Sequence, residues 1–270
     1  MVSSAVVTLD NLTVSYRQHP ALHHVSGSFA SGSLTALAGP NGSGKSTLLK
    51  TIAGLLVASG GHAEVLAQPS QIAYLPQAAD IDRSFPINVH DCVLLGCWPV
   101  AGAWGGVGAA QHAHVDAALR QVGLQGFEQR PIGSLSNGQL QRTLFARLLV
   151  QDAQLILLDE PFTAMDGNTT AALLGLVGQW HTQRRTVVVA LHDDAQIRQH
   201  FPQTLLLARE VIAWGQTTEV MTPANMTRAR AMAEAWDEAA EVCTLDQNPA
   251  YPPVSAVSSV ASVSSVSSAS

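Results

Sequence analysis

Apolar and polar positions along this chain alternate in segments that predict an α/β protein. Residues 6–16 (VVTLDNLTVSY) alternate apolar and polar side chains around the turn-like pair Asp10-Asn11, which predicts two antiparallel strands. Residues 33–38 (SLTALA) form a short apolar run, followed by a glycine-rich loop and a stretch in which Leu48, Ile52 and Leu55 recur at helical spacing. Strand, glycine loop and helix together open a nucleotide-binding α/β unit. Residues 72–76 (IAYLP) predict a further strand. Residues 88–96 and 109–123 predict helices, separated by a Gly/Ala/Trp-rich loop at 98–108. Residues 137–150 predict a helix with Leu140, Leu144 and Leu148 four apart. Two almost wholly apolar runs, Leu155–Leu158 and Val187–Leu191, fit central strands of a parallel sheet covered on both faces. Residues 204–214 (TLLLAREVIAW) predict a hairpin at a sheet edge. After Asn248 the chain becomes a repetitive mixture of Pro, Ser, Ala and Val with no core period, which predicts a disordered tail.

Composition narrows the classes. A length of 270 residues suits one large domain or two small ones. The net charge of −6 argues against a mainly electrostatic nucleic-acid binder, so no nucleic-acid partner is expected. Charged residues make up 13% of the chain, about half the usual ~25%, so part of the surface is expected to meet a partner. No apolar run reaches the ~18 residues of a membrane span, and the start of the chain does not read as a secretory signal. Three cysteines (Cys92, Cys97, Cys243) are too few for a disulfide framework, and the chain reads as cytosolic.

Residues 39–47 read G-P-N-G-S-G-K-S-T, matching a Gly-x4-Gly-Lys-Ser/Thr phosphate loop. Glycines let backbone N–H groups turn inward on a phosphate, and the following helix presents its positive N-terminal end. Lys45 would reach the terminal phosphates and the Ser46 hydroxyl would ligate Mg²⁺. Residues 155–161 read L-I-L-L-D-E-P, four apolar residues followed by two carboxylates. Ligands of open α/β sheets bind at the carboxyl ends of strands. Asp159 is therefore a candidate to hold Mg²⁺, directly or through water, and Glu160 a candidate to polarise attacking water.

Residues 135–139 (L-S-N-G-Q) open the leucine-striped helix. Ser136 is a good N-cap, Gly138 leaves backbone room, and a helix N-terminus with bare N–H groups is an anion site. With this pentapeptide the chain resembles the ATP-binding subunits of ABC (ATP-binding cassette) transporters, over about residues 5–235. In the family's order, Tyr16 matches the aromatic that stacks on adenine. Gly39, Pro40, Asn41, Gly42, Ser43, Gly44, Lys45, Ser46 and Thr47 match the first phosphate motif. Gln77 matches the Q-loop glutamine, and Ser136, Gly138 and Gln139 fall in the signature. Leu155–Glu160 matches the second nucleotide motif, Ala164-Met165-Asp166 the D-loop, and His192 the switch histidine. Asn137 stands where the family usually has glycine; asparagine tolerates φ > 0 best among the other residues, so a modest effect is expected.

The resemblance implies a P-loop NTPase core of α/β class with an antiparallel β subdomain and an α-helical signature subdomain. On that reading residues 1–245 form the ATPase domain, the helical subdomain spans about 78–150, and 246–270 are the tail. It further implies a head-to-tail homodimer with two ATP molecules at the seam, each held by one chain's phosphate loop and the other's signature helix. Glu160, His192 and Gln77 would carry catalysis, while Ser46, Gln77 and Asp159 would hold Mg²⁺. A separate integral membrane permease is implied as partner, with an extracytoplasmic substrate-binding protein acting indirectly and the ATPase lying peripherally on the cytoplasmic face of the membrane.

The segment after Gln77 reads D-I-D-R-S-F-P-I-N-V-H-D-C-V-L-L-G. It resembles the F-P-x-x-V-x-D-x-V-x-x-G pattern of ATPases serving zinc and manganese importers, with Phe85, Pro86, Val89, Asp91, Val93 and Gly96 matching. Residues 213–225 resemble the same group. The implied cargo is a divalent transition metal, zinc ahead of manganese and iron; siderophore or cobalamin import is the alternative. His90-x-Cys92-x4-Cys97 and His112-x-His114 have ligand chemistry, but as sequence they read as packed or solvated residues. A soluble ABC-type ATPase of DNA repair or translation and a nucleotide-binding regulatory module are the remaining classes. The chain has neither a sustained heptad insertion nor a second phosphate loop, and Glu160 and His192 argue for turnover.

Overall fold

A computed structural model describes residues 4–17, 19–98, 107–163 and 165–234. The loop expected at 98–108, Ala164 of the D-loop match, Cys243 and the tail at 246–270 lie wholly or largely outside them. Two sheets organise the described chain. A three-stranded antiparallel sheet has the order β2-β1-β4, from β1 (Ala5–Tyr16), β2 (His19–Ala30) and β4 (Gly60–Val65). A six-stranded sheet has the order β5-β6-β7-β3-β8-β9, from β3 (Leu34–Ala38), β5 (Ile72–Leu75), β6 (Leu155–Asp159), β7 (Thr186–Ala190), β8 (Gln203–Ala208) and β9 (Glu210–Gln216). Its pairings are parallel except for the edge hairpin β8–β9.

Helices follow the strands: α1 (Lys45–Ile52), α2 (Val89–Leu94), α3 (Ala109–Gln121), α4 (Asn137–Gln151), α5 (Gly167–Thr182), α6 (Asp194–His200), α7 (Thr217–Val220) and α8 (Pro223–Glu234). A parallel strand covered on both faces has no solvated side, and β3, β6 and β7 are buried at every position. Side chains alternate across the sheet, so Leu155, Leu157 and Val188 join the core beneath α1 and the antiparallel sheet. Their neighbours Ile156, Leu158, Val187 and Val189 join the larger core built with α2–α5. There Phe145 and Trp180 stack at 5.9 Å with rings 5° apart.

One expectation needs correction. Residues 6–16 are one strand, not two around Asp10-Asn11. Asn11 takes φ 50°, and the register with β2 and β4 shifts there. An asparagine in the left-handed region makes a bulge that bends the strand without reversing it. The strand's antiparallel partners are β2 on one side and β4 on the other.

Candidate functional site

The phosphate loop leaves the buried carboxyl end of β3 and enters α1. Two of its glycines are required by geometry. Gly39 (φ 145°) would place a Cβ 2.1 Å from the Leu207 carbonyl oxygen, and Gly44 (φ 95°) one 2.4 Å from that of Ala21. Gly44 is also the N-cap of α1, and no side chain caps that end. By contrast α4, α5 and α6 are capped by Ser136, Asp166 and Asp193. The first N–H groups of α1 thus open on the loop's concavity, where an anion satisfies them and complements the helix dipole.

Lys45 is buried, and its Nζ donates to the carbonyls of Gly39 (2.9 Å) and Pro40 (3.0 Å). Burial lowers its pKa, while the charges of Glu160 and Asp159 act in the opposite sense. Ser43 Oγ is buried without a hydrogen-bond partner among the described residues. A cavity of about 750 Å³ lies over the loop, lined by Asn41–Thr47 together with Gln77, Glu160, Thr163 and His192. Gly39 and Pro40 line a smaller neighbouring cavity with His192.

Three side chains meet at the Ser46 hydroxyl. It donates to Asp159 Oδ1 (3.0 Å) and accepts from Gln77 Nε2 (3.3 Å). Asp159 is fully buried at the end of β6, and burial raises its pKa, with the Ser46 and Gln77 hydrogen bonds opposing. A buried carboxylate beside a hydroxyl supplies oxygen donors that suit a hard divalent cation, and the Gln77 amide, which here turns its Nε2 to Ser46, carries an oxygen that could join them. Tyr74 donates its hydroxyl to Asp159 Oδ2 at 3.4 Å, a partner that sequence reading missed. Burial, then the Asp159 charge, raises the Tyr74 pKa, so it stays a neutral donor. Its only signal was its place one strand residue before the Leu75-Pro76-Gln77 turn.

Glu160 follows on β6 with φ 49°, a left-handed conformation that is uncommon outside glycine. Its Oε1 contacts Nε2 of His192, two residues beyond β7. Adjacent parallel strands β6 and β7 end side by side, and this brings the pair together.

The remaining candidates lie elsewhere. Tyr16 is 48% exposed at the end of β1 and does not line the phosphate-loop cavity. Ser136 and Gln139 close a reciprocal capping box: Ser136 Oγ accepts from Gln139 N (3.2 Å), and Gln139 Oε1 accepts from Ser136 N (3.0 Å). Neither they nor Gly138 lines that cavity. Asn137 is the first residue of α4 and has a negative φ, so the tolerance of left-handed backbone expected to matter there plays no part. Asp166 caps α5 through Thr169 N (2.9 Å).

In the segment after Gln77, Val89 and Val93 are buried, and a Cβ on Gly96 would lie 2.4 Å from the Arg147 carbonyl oxygen; Phe85 is exposed. The pattern therefore mixes residues that seat α2 on α4 with one that faces outward. Cys92 and Cys97 are buried, and His90 stacks on His112 at 5.0 Å, uniting halves of two separate sequence motifs. Among the described residues no three His, Cys, Asp or Glu side chains gather as a metal site, and no helix is long and apolar enough to cross a membrane.

Comparison with known proteins accords with this architecture. Residues 22–163 match the family described as ABC transporter. The chain is 40% identical over 219 residues to the “Probable metal transport system ATP-binding protein” of Chlamydia pneumoniae, covering 79% of this chain and 85% of that one. It is 38% identical to the manganese transport system ATP-binding protein MntB of Listeria monocytogenes (79% and 91% covered). It is 39% identical to the zinc transport system ATP-binding protein TroB of Treponema pallidum (83% and 86% covered). A metal-chelate type ABC transporter solved in an inward-facing conformation superposes with TM-score 0.74 at 28% identity, over 84% of this chain and 90% of that one. With the phosphate loop, the strand-end carboxylates and the capped signature helix in this arrangement, the chain belongs to the ATP-binding, ATP-hydrolysing subunits of the ABC transporter family.

Proposed function

We propose that this ATPase energises import of a divalent transition metal, zinc or manganese, through a separate membrane permease. The observation that carries the ATPase half is the meeting of Ser46, Gln77 and Asp159 beside Lys45 and an uncapped α1. The cargo half is supported by relatives named for manganese and for zinc transport.

In this proposal Lys45 and the backbone N–H groups of residues 41–47 bind the β- and γ-phosphates, and Tyr16 stacks on the adenine. Ser46, Gln77 and Asp159 would hold Mg²⁺, which supplies neutralisation of charge on the phosphate oxygens. Glu160 orients the attacking water and takes its proton. His192 keeps that carboxylate turned toward the phosphate end of the cavity and contacts the γ-phosphate. Ser136, Gly138 and Gln139 lie outside the chain's own phosphate cavity, which supports a head-to-tail homodimer in which they face a γ-phosphate held by the second copy. ATP then bridges the closed state and favours it, and hydrolysis removes the bridge. The helical subdomain at about 78–150 carries the signature and docks the permease, with the chain peripheral to the cytoplasmic face and a binding protein delivering cargo outside. The test is co-purification with the permease, reconstitution and metal-by-metal uptake. ATP-dependent accumulation of zinc or manganese supports the proposal; uptake of a siderophore or cobalamin, but no free metal, refutes the cargo.

A further inference from the structure

The segment from Gln77 to His90 is fastened at three places, each to a different part of the ATP-handling machinery. At its start, Gln77 donates to Ser46 in the phosphate loop, and Asp80 pairs with Lys50 of α1 at 3.3 Å. At its end it runs as a short ladder beside the chain leading into the signature: Ile132 N donates to Ile87 O (3.0 Å), Val89 N to Arg130 O (2.9 Å) and His90 N to Glu128 O (2.9 Å). In the middle the fastening is one side chain. Arg83 spreads its guanidinium over the signature turn, donating Nη1 to Leu135 O (3.3 Å) and Nη2 to Asn137 Oδ1 (2.5 Å).

Several features aim that guanidinium. Asp82 Oδ1 accepts from Ser84 N (2.9 Å) and Ser84 Oγ (2.6 Å), closing an Asx turn around Arg83. Gly133 lets the two segments approach, since a Cβ there would lie 2.7 Å from the Arg83 carbonyl oxygen. Arg83 and Asn137 line one groove of about 630 Å³ with Gln77, Gln141 and Glu160. The acceptor is the Asn137 side chain itself, and a glycine at this position would offer Arg83 none. The conformation at Asn137 is ordinary helix, so its side chain, rather than any backbone demand, distinguishes it.

We propose that Arg83 and Asn137 are positioning residues that latch the segment following Gln77 to the first turn of α4. A displacement of that segment by a membrane partner is passed through the latch to Ser136, Gly138 and Gln139, and the latch sets their orientation toward the phosphate they face. This rests on the proposed role of the signature turn in a second copy's site. The ladder at 87–90 already holds the two segments together, and Asn137 is exposed, so the pair is not required for folding.

A double-mutant cycle on the full chain with Mg-ATP tests it. Arg83→Met keeps the apolar stem and removes the guanidinium; Asn137→Ala removes the acceptor. Each is expected to lower kcat about fivefold with KM for ATP within about twofold, because the phosphate loop is untouched. The two together are expected to cost the same about fivefold, since either change breaks the same link. Arg83→Lys is expected to recover kcat to within about twofold, since one donor is restored. Either single variant turning over like the unmodified chain, or a double variant whose loss is the product of the singles, overturns the latch. If Arg83→Met does not fold, Asn137→Ala and Asn137→Gly carry the test, and unaltered kcat in both overturns it. Glu160→Gln is measured alongside. Undiminished turnover in that variant refutes the assigned catalytic role, whereas an inert Glu160→Gln beside unaffected latch variants refutes the latch alone.

Discussion

His192 Nε2 meets Glu160 Oε1 at the carboxyl ends of neighbouring strands β6 and β7. Glu160 sits in the left-handed region, a conformation that costs on the order of 1–3 kcal/mol outside glycine and persists where surrounding structure over-determines it. Here the determinant is Glu160 N donating to Ala190 O at 3.2 Å, which continues the β6–β7 ladder through the turn. From this position Glu160 lines the cavity over the phosphate loop.

Glu160→Gln keeps size and removes the base. Turnover is expected to fall by about 10²–10⁴-fold with ATP still bound. Size-exclusion chromatography with light scattering should then show an ATP-dependent dimer. A variant that hydrolyses ATP normally removes Glu160 from the chemistry.

Lys45→Ala deletes the only lysine in the phosphate loop. Charge-assisted hydrogen bonds are worth roughly 1.5–3 kcal/mol, so nucleotide affinity should drop about 10–100-fold. Equilibrium binding of a fluorescent ATP analogue checks this; unchanged affinity contradicts the assignment.

Asp159→Asn should trade function for stability. The carboxylate is fully buried, and its burial disfavours the charged form. An amide there avoids that cost, so the nucleotide-free variant is expected to melt about 2–4 °C higher, the shift roughly 1 kcal/mol produces in a chain of this size. Its Mg²⁺-dependent ATPase should be lost. Differential scanning calorimetry without nucleotide, paired with an ATPase assay, reads both; a lower melting temperature counts against the burial argument.

Trp180→Ala removes a ring that is 2% exposed and stacked on Phe145. Such a truncation typically costs ~3–5 kcal/mol. Chemical denaturation should register this as an earlier midpoint; a midpoint unchanged from the parent chain rejects the packing assignment.

Cys92 is shielded, and burial raises its thiol pKa, with Arg147 opposing weakly. The reactive thiolate is therefore scarce as well as inaccessible. Peptide-resolved mass spectrometry after iodoacetamide at pH 8 should find Cys92 unmodified in native protein and alkylated in denaturant. Rapid native labelling would mean α2 opens readily.

The sequence by itself determined most of the elements and the phosphate-loop motif, because both are local. Largely apolar runs mark β3, β6 and β7, leucines four apart mark α4, and a glycine loop before a helix marks a phosphate loop through backbone geometry. Tertiary structure decided what short-range spacing does not encode. A bulge at Asn11 keeps β1 continuous, because its pairing with β2 and β4 outweighs a turn-like dipeptide. Parallel pairing of β6 with β7 sets Glu160 against His192, and β5 beside β6 gives Tyr74 to Asp159. The ladder between 87–90 and 128–132 carries Arg83 to Asn137. Each pair comes from segments far apart in the chain, and only the order and register of strands and packed helices bring them within hydrogen-bonding reach.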